Sequence, residues 1–352
     1  MNRYFKNLAR VIARTMLFIK ATTYREEPYK WASGMMMHIY NDNRMMLGLF
    51  SHRWRVAQGF VAKIRGLNIF VDYILGTSMS GIAPATSVAQ IMKKQLLIND
   101  GGKFYLYEEN LLDKKTLHFA WFKILLKKTA EKKLDYAIVT TSPLAIPYGV
   151  QYANKLKVGF AYIRNPKDHG KKQEIEGNLK PGMKVILMFT GIREEDVMSA
   201  HQTTKKILED KGCIVMVVHS IDFNKTFHRE ILPEELKGQS TIVIEDLFST
   251  GGSSAYEVYQ LRQAGATCNN CFSIFSYGFD VLRKQFSGES EIGGKGVKLL
   301  APCNIDTLLP FPILCVEMER LNFFTPQIRD SMKEEINDFD EKNKKFIEVS
   351  KA

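Results

Sequence analysis

The sequence predicts an α/β fold in which a largely parallel sheet is flanked by helices. Short β-branched runs precede amphipathic helical stretches three times along the chain: Val71–Leu75 then Ala85–Met92, Ala137–Thr140 then Tyr148–Leu156, and Thr241–Ile244 then Ala255–Ala264. Such alternation is typical of parallel strands joined by crossover helices. The highly charged stretch Lys333–Ala352 suits a terminal helix or a loose tail.

The chain has 352 residues, 45% hydrophobic and 25% charged, enough for two modest domains. Its apolar runs are too short to cross a bilayer, so no membrane partner is expected. The net charge of +11 favours anionic partners. Because the basic residues are spread along the chain, a phosphate-rich small substrate is favoured over nucleic acid. Five scattered cysteines suit a reducing cytoplasm, and a cytoplasmic protein is expected.

The N-terminal 1–25 segment is basic and amphipathic, with six Arg or Lys residues and no acid before Glu26. This pattern suits either an organelle-targeting segment or a surface helix that packs on the domain it precedes. The surface helix is the favoured interpretation.

A self-comparison indicates an internal duplication. Two pairs of segments correspond: Val71–Thr77 with Leu134–Thr140, and Leu179–Met188 with Leu236–Ile244. The order of the copies predicts one domain inserted in a related one. Residues 1–110 and 237–352 then form an outer domain, and residues 111–236 form the insert. Chance similarity between α/β units is the alternative.

The strand Thr241–Ile244 leads into a candidate phosphate-binding loop. Two acids come first, Glu245 and Asp246, and the loop residues follow: Ser249, Thr250, Gly251, Gly252, Ser253 and Ser254. Glycines let backbone N–H groups approach a phosphate, and a helix N-terminus favours its charge. The acids suit ribose hydroxyls, bound directly or through magnesium. The spacing fits neither a Walker loop nor a Rossmann fingerprint, and a plain Ser/Gly helix cap is the alternative.

Gly76–Ile82 is a second candidate anion loop, also between a strand and a helix. An ordinary strand–helix turn is the alternative. The duplicate lacks the glycines of both loops: Val139 and Leu144 replace Gly76 and Gly81, and Arg193–Asp196 replaces Ser-Thr-Gly-Gly. Since acids at a helix start repel phosphate, the insert should keep its strands and helices but not bind phosphate.

Arg164–Lys172 is polar, strongly basic and bears Gly170, which predicts an exposed mobile loop. Such a loop could close over an anionic leaving group. A solvated basic turn is the alternative.

These motifs resemble those of the orotate phosphoribosyltransferase family, particularly the branch with W-A-S-G near the N-terminus. The similar segments are Trp31–Gly34, Ile39–Arg44, Gly76–Ile82, Tyr162–Gly177, Val243–Ser254, Ile274–Gly278, Gly296–Leu299 and Asp306–Leu309. The resemblance covers roughly residues 5–95, 155–182 and 236–335. It implies a phosphoribosyltransferase-type parallel sheet with a hood subdomain, here with a related α/β domain inserted.

The resemblance implies transfer of a phosphoribosyl group from phosphoribosyl pyrophosphate (PRPP) to orotate, with Mg²⁺ bound mainly through PRPP. The implied catalytic residues are Lys167, His169, Arg164 and Asp246. PRPP would be held by Glu245, Asp246, Ser249, Thr250, Gly251, Gly252, Ser253 and Ser254, and pyrophosphate by Thr77, Ser78 and Met79. The base would lie against Ser33, Gly34, Tyr40 and Arg44. Transfer to another base, or a non-catalytic PRPP-sensing regulator, are the alternatives.

This sequence departs from the family pattern in two ways. It has a long extra segment between the two anion loops, and its basic loop Arg164–Lys172 is about one residue shorter than the pattern requires. The outer domain has Leu97–Lys103, without a Lys-x-His pair, where its own basic loop should be. The insert keeps Arg164, Lys167 and His169 but has lost both anion loops. We therefore expect an internal pseudodimer with one working site, and a further homodimer of such chains is left open.

Overall fold

The computed structural model describes residues 2–30, 36–107, 136–163, 175–191, 194–222 and 228–338. Within these ranges the chain forms a seven-stranded sheet, a five-stranded sheet and a two-stranded ribbon. Most strand pairs in the two larger sheets are parallel, and helices connect the strands. The predicted α/β class is confirmed.

The seven-stranded sheet carries the C-terminal half of the chain and part of the N-terminal half. Its strands are, in order across the sheet, β11 (His228–Ile231), β5 (Lys103–Tyr107), β4 (Gln95–Asp100), β3 (Tyr73–Gly76), β12 (Ser240–Phe248), β13 (Thr267–Ser276) and β14 (Asn304–Pro310). The strands from β4 to β14 run parallel. Strand β5 is antiparallel to both of its neighbours. Strand β12 therefore lies at the centre of the parallel part, which is the usual place for a site at strand ends.

The five-stranded sheet is formed by the middle of the chain. Its strands are, in order across the sheet, β10 (Ile214–Asp222), β9 (Lys184–Gly191), β6 (Tyr136–Thr140), β7 (Gly159–Ile163) and β8 (Ile175–Glu176). All pairs are parallel except β7 with β8. Strand β9 is followed by a helix, which is the strand and helix predicted for the upstream copy.

The two sheets share one topology. In each, the first strand in the chain pairs with the second, and the second pairs with an antiparallel third strand. A later strand, β12 in the larger sheet and β9 in the smaller one, pairs with the first strand on its other side. This correspondence favours an inserted related domain, which we propose. Strand β11 pairs with β5 of the larger sheet, although the predicted boundary at residue 237 assigned it to the insert. A boundary near residue 227 would follow the sheets better.

Helices cover both sheets and fill the space between them. They are α1 (Arg3–Phe18), α2 (Phe50–Gly66), α3 (Ile82–Met92), α4 (Ile146–Leu156), α5 (Glu194–Asp210), α6 (Pro233–Leu236), α7 (Gly252–Gln263), α8 (Asp280–Ser287), α9 (Phe311–Arg320) and α10 (Pro326–Asn337). Helix α3 of the larger sheet packs against α4 of the smaller one. One continuous core includes Ile74 and Ile244 from one sheet and Ile138 and Phe160 from the other.

The basic N-terminal segment forms helix α1, and its apolar side is buried against the larger sheet and α9. Ile12 and Met16 are fully buried in the main core. Arg14 Nε donates to Glu317 Oε2 on α9 at 2.6 Å. Helix α1 is therefore a packed surface helix, as the favoured interpretation had it. Among the described residues, no helix combines the length and apolar character needed to span a membrane.

The two-stranded ribbon consists of β1 (Thr22–Lys30) and β2 (Met36–Asn41), paired antiparallel. The chain then enters a 3₁₀ helix, Asn43–Gly48, which packs against both β7 and β12. Of the predicted hood residues that the structure describes, Tyr40 lies on β2 and Arg44 on the 3₁₀ helix that packs against both sheets.

Candidate phosphate and ribose site

The candidate phosphate loop lies at the carboxyl end of β12. The strand is buried through Val243 and Ile244, the chain turns, and α7 begins at Gly252. Gly251 has a φ of +83°, and a Cβ there would lie 2.4 Å from Leu282 Cδ1. Only glycine fits this position. The first N–H groups of α7 therefore open at the end of the central strand, as phosphate binding requires.

The side chains of this loop differ in exposure. Ser253 is exposed, and Ser249 and Thr250 are half-buried. Ser254 is buried, and its hydroxyl donates to Glu245 Oε2 at 2.8 Å. Three of the four predicted hydroxyls are thus partly open to a ligand, whereas that of Ser254 is engaged inside the protein.

The second anion loop lies beside the first. Strands β3 and β12 are parallel neighbours with Gly76 paired to Ile244, so their loops leave from the same edge of the sheet. The amide of Thr77 donates to Ile244 O at 3.1 Å. A Cβ on Gly81 would lie 2.3 Å from Ile244 O, so this close approach needs glycine. Of the predicted pyrophosphate residues, Thr77 is buried, Ser78 is exposed and Met79 is half-buried.

Glu245 connects the two loops. Its Oε1 accepts from Ser80 Oγ at 3.3 Å and from the amide of Asp246 at 2.9 Å, and its Oε2 accepts from Ser254. Burial, and then the charge of Asp246, raise the pKa of Glu245 well above its ordinary value. The carboxyl of Glu245 is therefore engaged with protein groups, while the half-buried Asp246 is the more accessible acid.

The predicted base-binding residues divide into two groups. Ser33 and Gly34 lie outside the described residues. Tyr40 is half-buried on β2, with its ring centroid 5.5 Å from that of Tyr29. Arg44 follows on the 3₁₀ helix and donates from Nε to Asp42 Oδ1 at 2.8 Å. The structure thus places Tyr40 and Arg44 on the segment that faces the end of β12.

The smaller sheet contributes two residues that the sequence reasoning did not assign. Glu176, on β8, is fully buried and accepts from Arg44 Nη1 at 2.7 Å. Tyr162, its partner across β7 and β8, is buried as well. Burial raises the pKa of Tyr162, and Arg44, Glu176 and Asp246 are close enough to influence it. Both residues lie in the segment Tyr162–Gly177, which carried part of the family resemblance.

The predicted catalytic residues Arg164, Lys167 and His169 lie outside the described residues. Strand β7 ends at Ile163 and β8 begins at Ile175, so the structure describes both ends of that segment. At the corresponding place in the larger sheet, β4 and β5 are joined by a tight turn. It consists of Gly101 and Gly102, both with positive φ. In the larger sheet a two-residue turn therefore takes the place of the long segment that follows β7 in the smaller sheet.

In the described part of the chain, no group of three or more His, Cys, Asp or Glu side chains could hold a metal ion. The five cysteines are buried and unpaired. A hydrogen bond with the Cys303 thiol, and then burial, raise the pKa of Cys268 well above the ordinary value. Burial, and then the neighbouring Cys303, raise the pKa of Cys271 in the same way, so both thiols stay protonated. A metal at the candidate site would need oxygen ligands from a substrate in addition to Asp246.

The candidate phosphate and ribose site lies at the carboxyl edge of a parallel sheet. Two glycine-dependent anion loops lie on neighbouring strands, and a carboxylate pair stands between them. The class of protein that the resemblance implied is a phosphoribosyltransferase.

Comparison with known proteins points to one family within that class. The chain is 26% identical over 304 residues to orotate phosphoribosyltransferase of Streptococcus gordonii, covering 86% of this chain and 85% of the relative. It is 24% identical over 328 residues to that of Streptococcus pneumoniae serotype 19F, covering 93% of each. A crystal structure of orotate phosphoribosyltransferase from Francisella tularensis aligns with 92% of this chain and 96% of that chain, at 10% identity and a TM-score of 0.41.

No protein-family model matches the sequence. The resemblance inferred from the motifs is nevertheless confirmed, because the chain is similar along most of its length to curated proteins named orotate phosphoribosyltransferase.

Proposed function

We propose that the chain is a phosphoribosyltransferase that transfers the 5-phosphoribosyl group of PRPP to orotate, giving orotidine 5′-monophosphate and pyrophosphate. The observation that carries this proposal is the pair of anion loops, Gly76–Ile82 and Ser249–Ser254, on the parallel neighbours β3 and β12. PRPP carries phosphate groups at both ends of its ribose, so it needs two anion sites with hydroxyl-binding groups between them. The similarity to proteins named orotate phosphoribosyltransferase supports orotate as the acceptor.

The 5′-phosphate would be bound by the loop that opens α7. Its N–H groups and the hydroxyls of Ser249, Thr250 and Ser253 are the donors, and Gly251 and Gly252 allow the backbone to approach. The pyrophosphate would lie at the neighbouring loop, against the backbone of Thr77, Ser78 and Met79. Both ends of PRPP would then be fixed to the same sheet edge.

Asp246 would bind the ribose hydroxyls between these loops, because it is the more accessible carboxylate of the pair. Glu245 was predicted to share this role. Its hydrogen bonds to Ser80 and Ser254 support instead a role in holding the two loops together. A bound Mg²⁺ would neutralise part of the pyrophosphate charge. Its ligands would come mainly from PRPP and water, since Asp246 alone cannot complete an octahedral shell.

In the reaction, the bond from ribose C1′ to pyrophosphate oxygen breaks, and pyrophosphate leaves with the electron pair. Orotate N1 forms the new bond to C1′, and its proton passes to solvent. Asp246 would stabilise the positive charge that develops on the ribose in the transition state. By resemblance, Arg164, Lys167 and His169 would neutralise the departing pyrophosphate, although they lie outside the described residues.

The two sheets are proposed to form an internal pseudodimer with one working site in each chain. Arg53 on α2 supports this arrangement, because its buried guanidinium donates to Asn154 Oδ1 on α4 and to Val158 O before β7. The same guanidinium donates to Leu47 O at 2.5 Å. Burial lowers its pKa to about 9, so it remains charged at neutral pH while bonded to three acceptors.

The proposal is tested by measuring pyrophosphate release from PRPP and Mg²⁺ with orotate, uracil, adenine and hypoxanthine in turn. Orotate alone should support turnover, with one orotidine monophosphate formed per pyrophosphate. Turnover with a different base would show that this base, and not orotate, is the acceptor, and the assignment of the PRPP site would stand. PRPP binding without turnover on any base would favour a PRPP-sensing regulator.

A further inference from the structure

The side chain of Arg44 is held by two carboxylates that come from distant parts of the chain. Its Nε donates to Asp42 Oδ1 at 2.8 Å, and its Nη1 donates to Glu176 Oε1 at 2.7 Å. Asp42 belongs to the segment that follows the ribbon, whereas Glu176 belongs to the smaller sheet. The Glu176 side chain is 0% exposed and the Arg44 side chain is 18% exposed. The guanidinium is thus held by two buried carboxylates, while part of the Arg44 side chain reaches the surface.

Arg44 lies near Asp246, the acid of the candidate ribose site. Burial opposes the charge on Arg44, but Asp42, Glu176 and Asp246 outweigh it and raise its pKa. Its chain neighbour Asn43 donates to the backbone carbonyl of Asp246 at 2.5 Å. Arg44 therefore lies beside the place where the transferred ribose would bind.

A guanidinium has five N–H donors in one plane, and the two carboxylates use Nε and one hydrogen of Nη1. In the described part of the chain, no hydrogen bond is recorded from Nη2 or from the second hydrogen of Nη1. One hydrogen from each of these two nitrogens can bind a carboxylate in a bidentate contact. A guanidinium held at two points loses little side-chain freedom when such a ligand binds. The arrangement suits recognition of an acidic group.

We propose that Glu176 is a positioning residue that fixes Arg44 so that its free edge binds the carboxylate of an acidic acceptor base. This inference rests on the proposed function and adds a residue that distinguishes an acidic base from a neutral one. It also gives the smaller sheet a part in acceptor recognition. Glu176 itself is fully buried and has the wrong charge to bind the substrate carboxylate.

The main alternative is that the Arg44–Glu176 ion pair only joins the 3₁₀ helix to the smaller sheet. Glu317 provides a matched control, because its side chain is also 0% exposed and accepts from an arginine, Arg14, at 2.6 Å. Glu317 lies on α9, away from the carboxyl ends of β3 and β12. Glu317→Gln and Glu176→Gln each remove one buried negative charge, so both should lower the melting temperature, but only Glu176→Gln should change ligand selectivity.

The test compares binding of orotidine 5′-monophosphate with uridine 5′-monophosphate, which differ only in the base carboxylate. The unaltered chain should bind the former about tenfold to a hundredfold more tightly, the range for hydrogen bonds to charged groups. In Glu176→Gln this preference should fall to about threefold or less, with uridine monophosphate binding unchanged within about twofold. Glu317→Gln should retain the full preference.

Steady-state kinetics give a second readout. Glu176→Gln should raise the KM for orotate about tenfold and leave the KM for PRPP within about twofold, since the loss falls on the acceptor alone. If Glu176→Gln does not fold, Glu176→Asp and Arg44→Lys serve instead, and both should lose selectivity. A full preference for orotidine monophosphate in a folded Glu176 or Arg44 variant would overturn the inference. Failure of the unaltered chain to form orotidine monophosphate would instead overturn the proposed function.

Discussion

The side-chain amide of Asn43 donates a 2.5 Å hydrogen bond to the backbone carbonyl of Asp246, joining the ribbon segment to the acid of the ribose site. The contact is the end of a buried chain of hydrogen bonds. Thr22 Oγ1 donates to Asn41 Oδ1 at 2.6 Å, and Asn41 Nδ2 donates to Asn43 Oδ1 at 2.8 Å. The amide of Asn43 is thereby oriented, and the backbone at Asp246 is held by Asn43 at its carbonyl and by Glu245 at its N–H.

We therefore expect Asn43→Ala to lower kcat/KM for PRPP by about tenfold or more, because a buried carbonyl beside Asp246 loses its donor. Thr22→Val, at the far end of the chain of hydrogen bonds, should have a smaller effect. Initial rates at varied PRPP concentration measure both. Equal effects from the two variants would show that Asn43 contributes only to folding stability.

The close approach of the two anion loops depends on Gly81. A methyl group there would meet Ile244 O and Thr77 Oγ1 at 2.3 Å, so Gly81→Ala must push the loops apart. We expect a loss of about 2 kcal/mol or more in the free energy of unfolding, with weaker PRPP binding. Gly66→Ala is the control. No atom lies within 4 Å of the added methyl, so it should be neutral or stabilising by up to about 1 kcal/mol.

Arg53 joins α2 to α4 and to the chain before β7, so its loss should destabilise the whole molecule. Arg53→Met leaves the carbonyls of Leu47 and Val158 and the amide oxygen of Asn154 without their donor. We expect at least about 2 kcal/mol lost, measured by urea unfolding. Arg283→Met removes an arginine that is 69% exposed and should cost less than about 0.5 kcal/mol. Similar losses would contradict the role assigned to Arg53.

Glu257 on α7 should make stability depend on pH. Burial raises its pKa to about 7 from an ordinary value of 4.5, and the hydrogen bond from Asn99 only partly offsets this. Between these pH values the native state binds more protons than the unfolded state. Its stability therefore falls as pH rises from about 4.5 through 7.

Glu257→Gln removes the buried charge that forms above pH 7. The free energy of unfolding of the variant should be about 1–3 kcal/mol higher than that of the unaltered chain near pH 8. Near pH 5 the difference should be less than about 1 kcal/mol. Urea unfolding at both pH values measures the difference. A difference that is constant with pH would show that Glu257 titrates normally.

The strands and loops could be predicted from the sequence because local pattern determines them. The run Thr241–Ile244 predicted the central strand, and the structure extends it to Phe248, since β13 continues to pair with it beyond the acids. The glycines of the two anion loops were also recognisable, because close backbone approach excludes side chains. The sequence also indicated that Leu97–Lys103 carries no basic loop, and the structure has the tight turn Gly101–Gly102 there.

The partners of the site residues could not be predicted, because packing between distant segments determines them. Arg44 and Glu176 are 132 positions apart, one on the 3₁₀ helix after the ribbon and the other on β8 of the smaller sheet. Glu245 looked like a ribose ligand, and nothing local revealed that Ser80 and Ser254 would occupy its oxygens. The pairing of β11 with β5 likewise depends on the return of the chain to the larger sheet.

The central claim is tested most directly by the loss of orotate absorbance with purified protein, PRPP and Mg²⁺, compared between the unaltered chain and Asp246→Asn. We predict steady turnover by the unaltered chain and a loss of about a hundredfold or more in Asp246→Asn, with its melting temperature little changed. Orotate that stays unconsumed by folded protein, or equal turnover by Asp246→Asn, would contradict a phosphoribosyl transfer site at the end of β12.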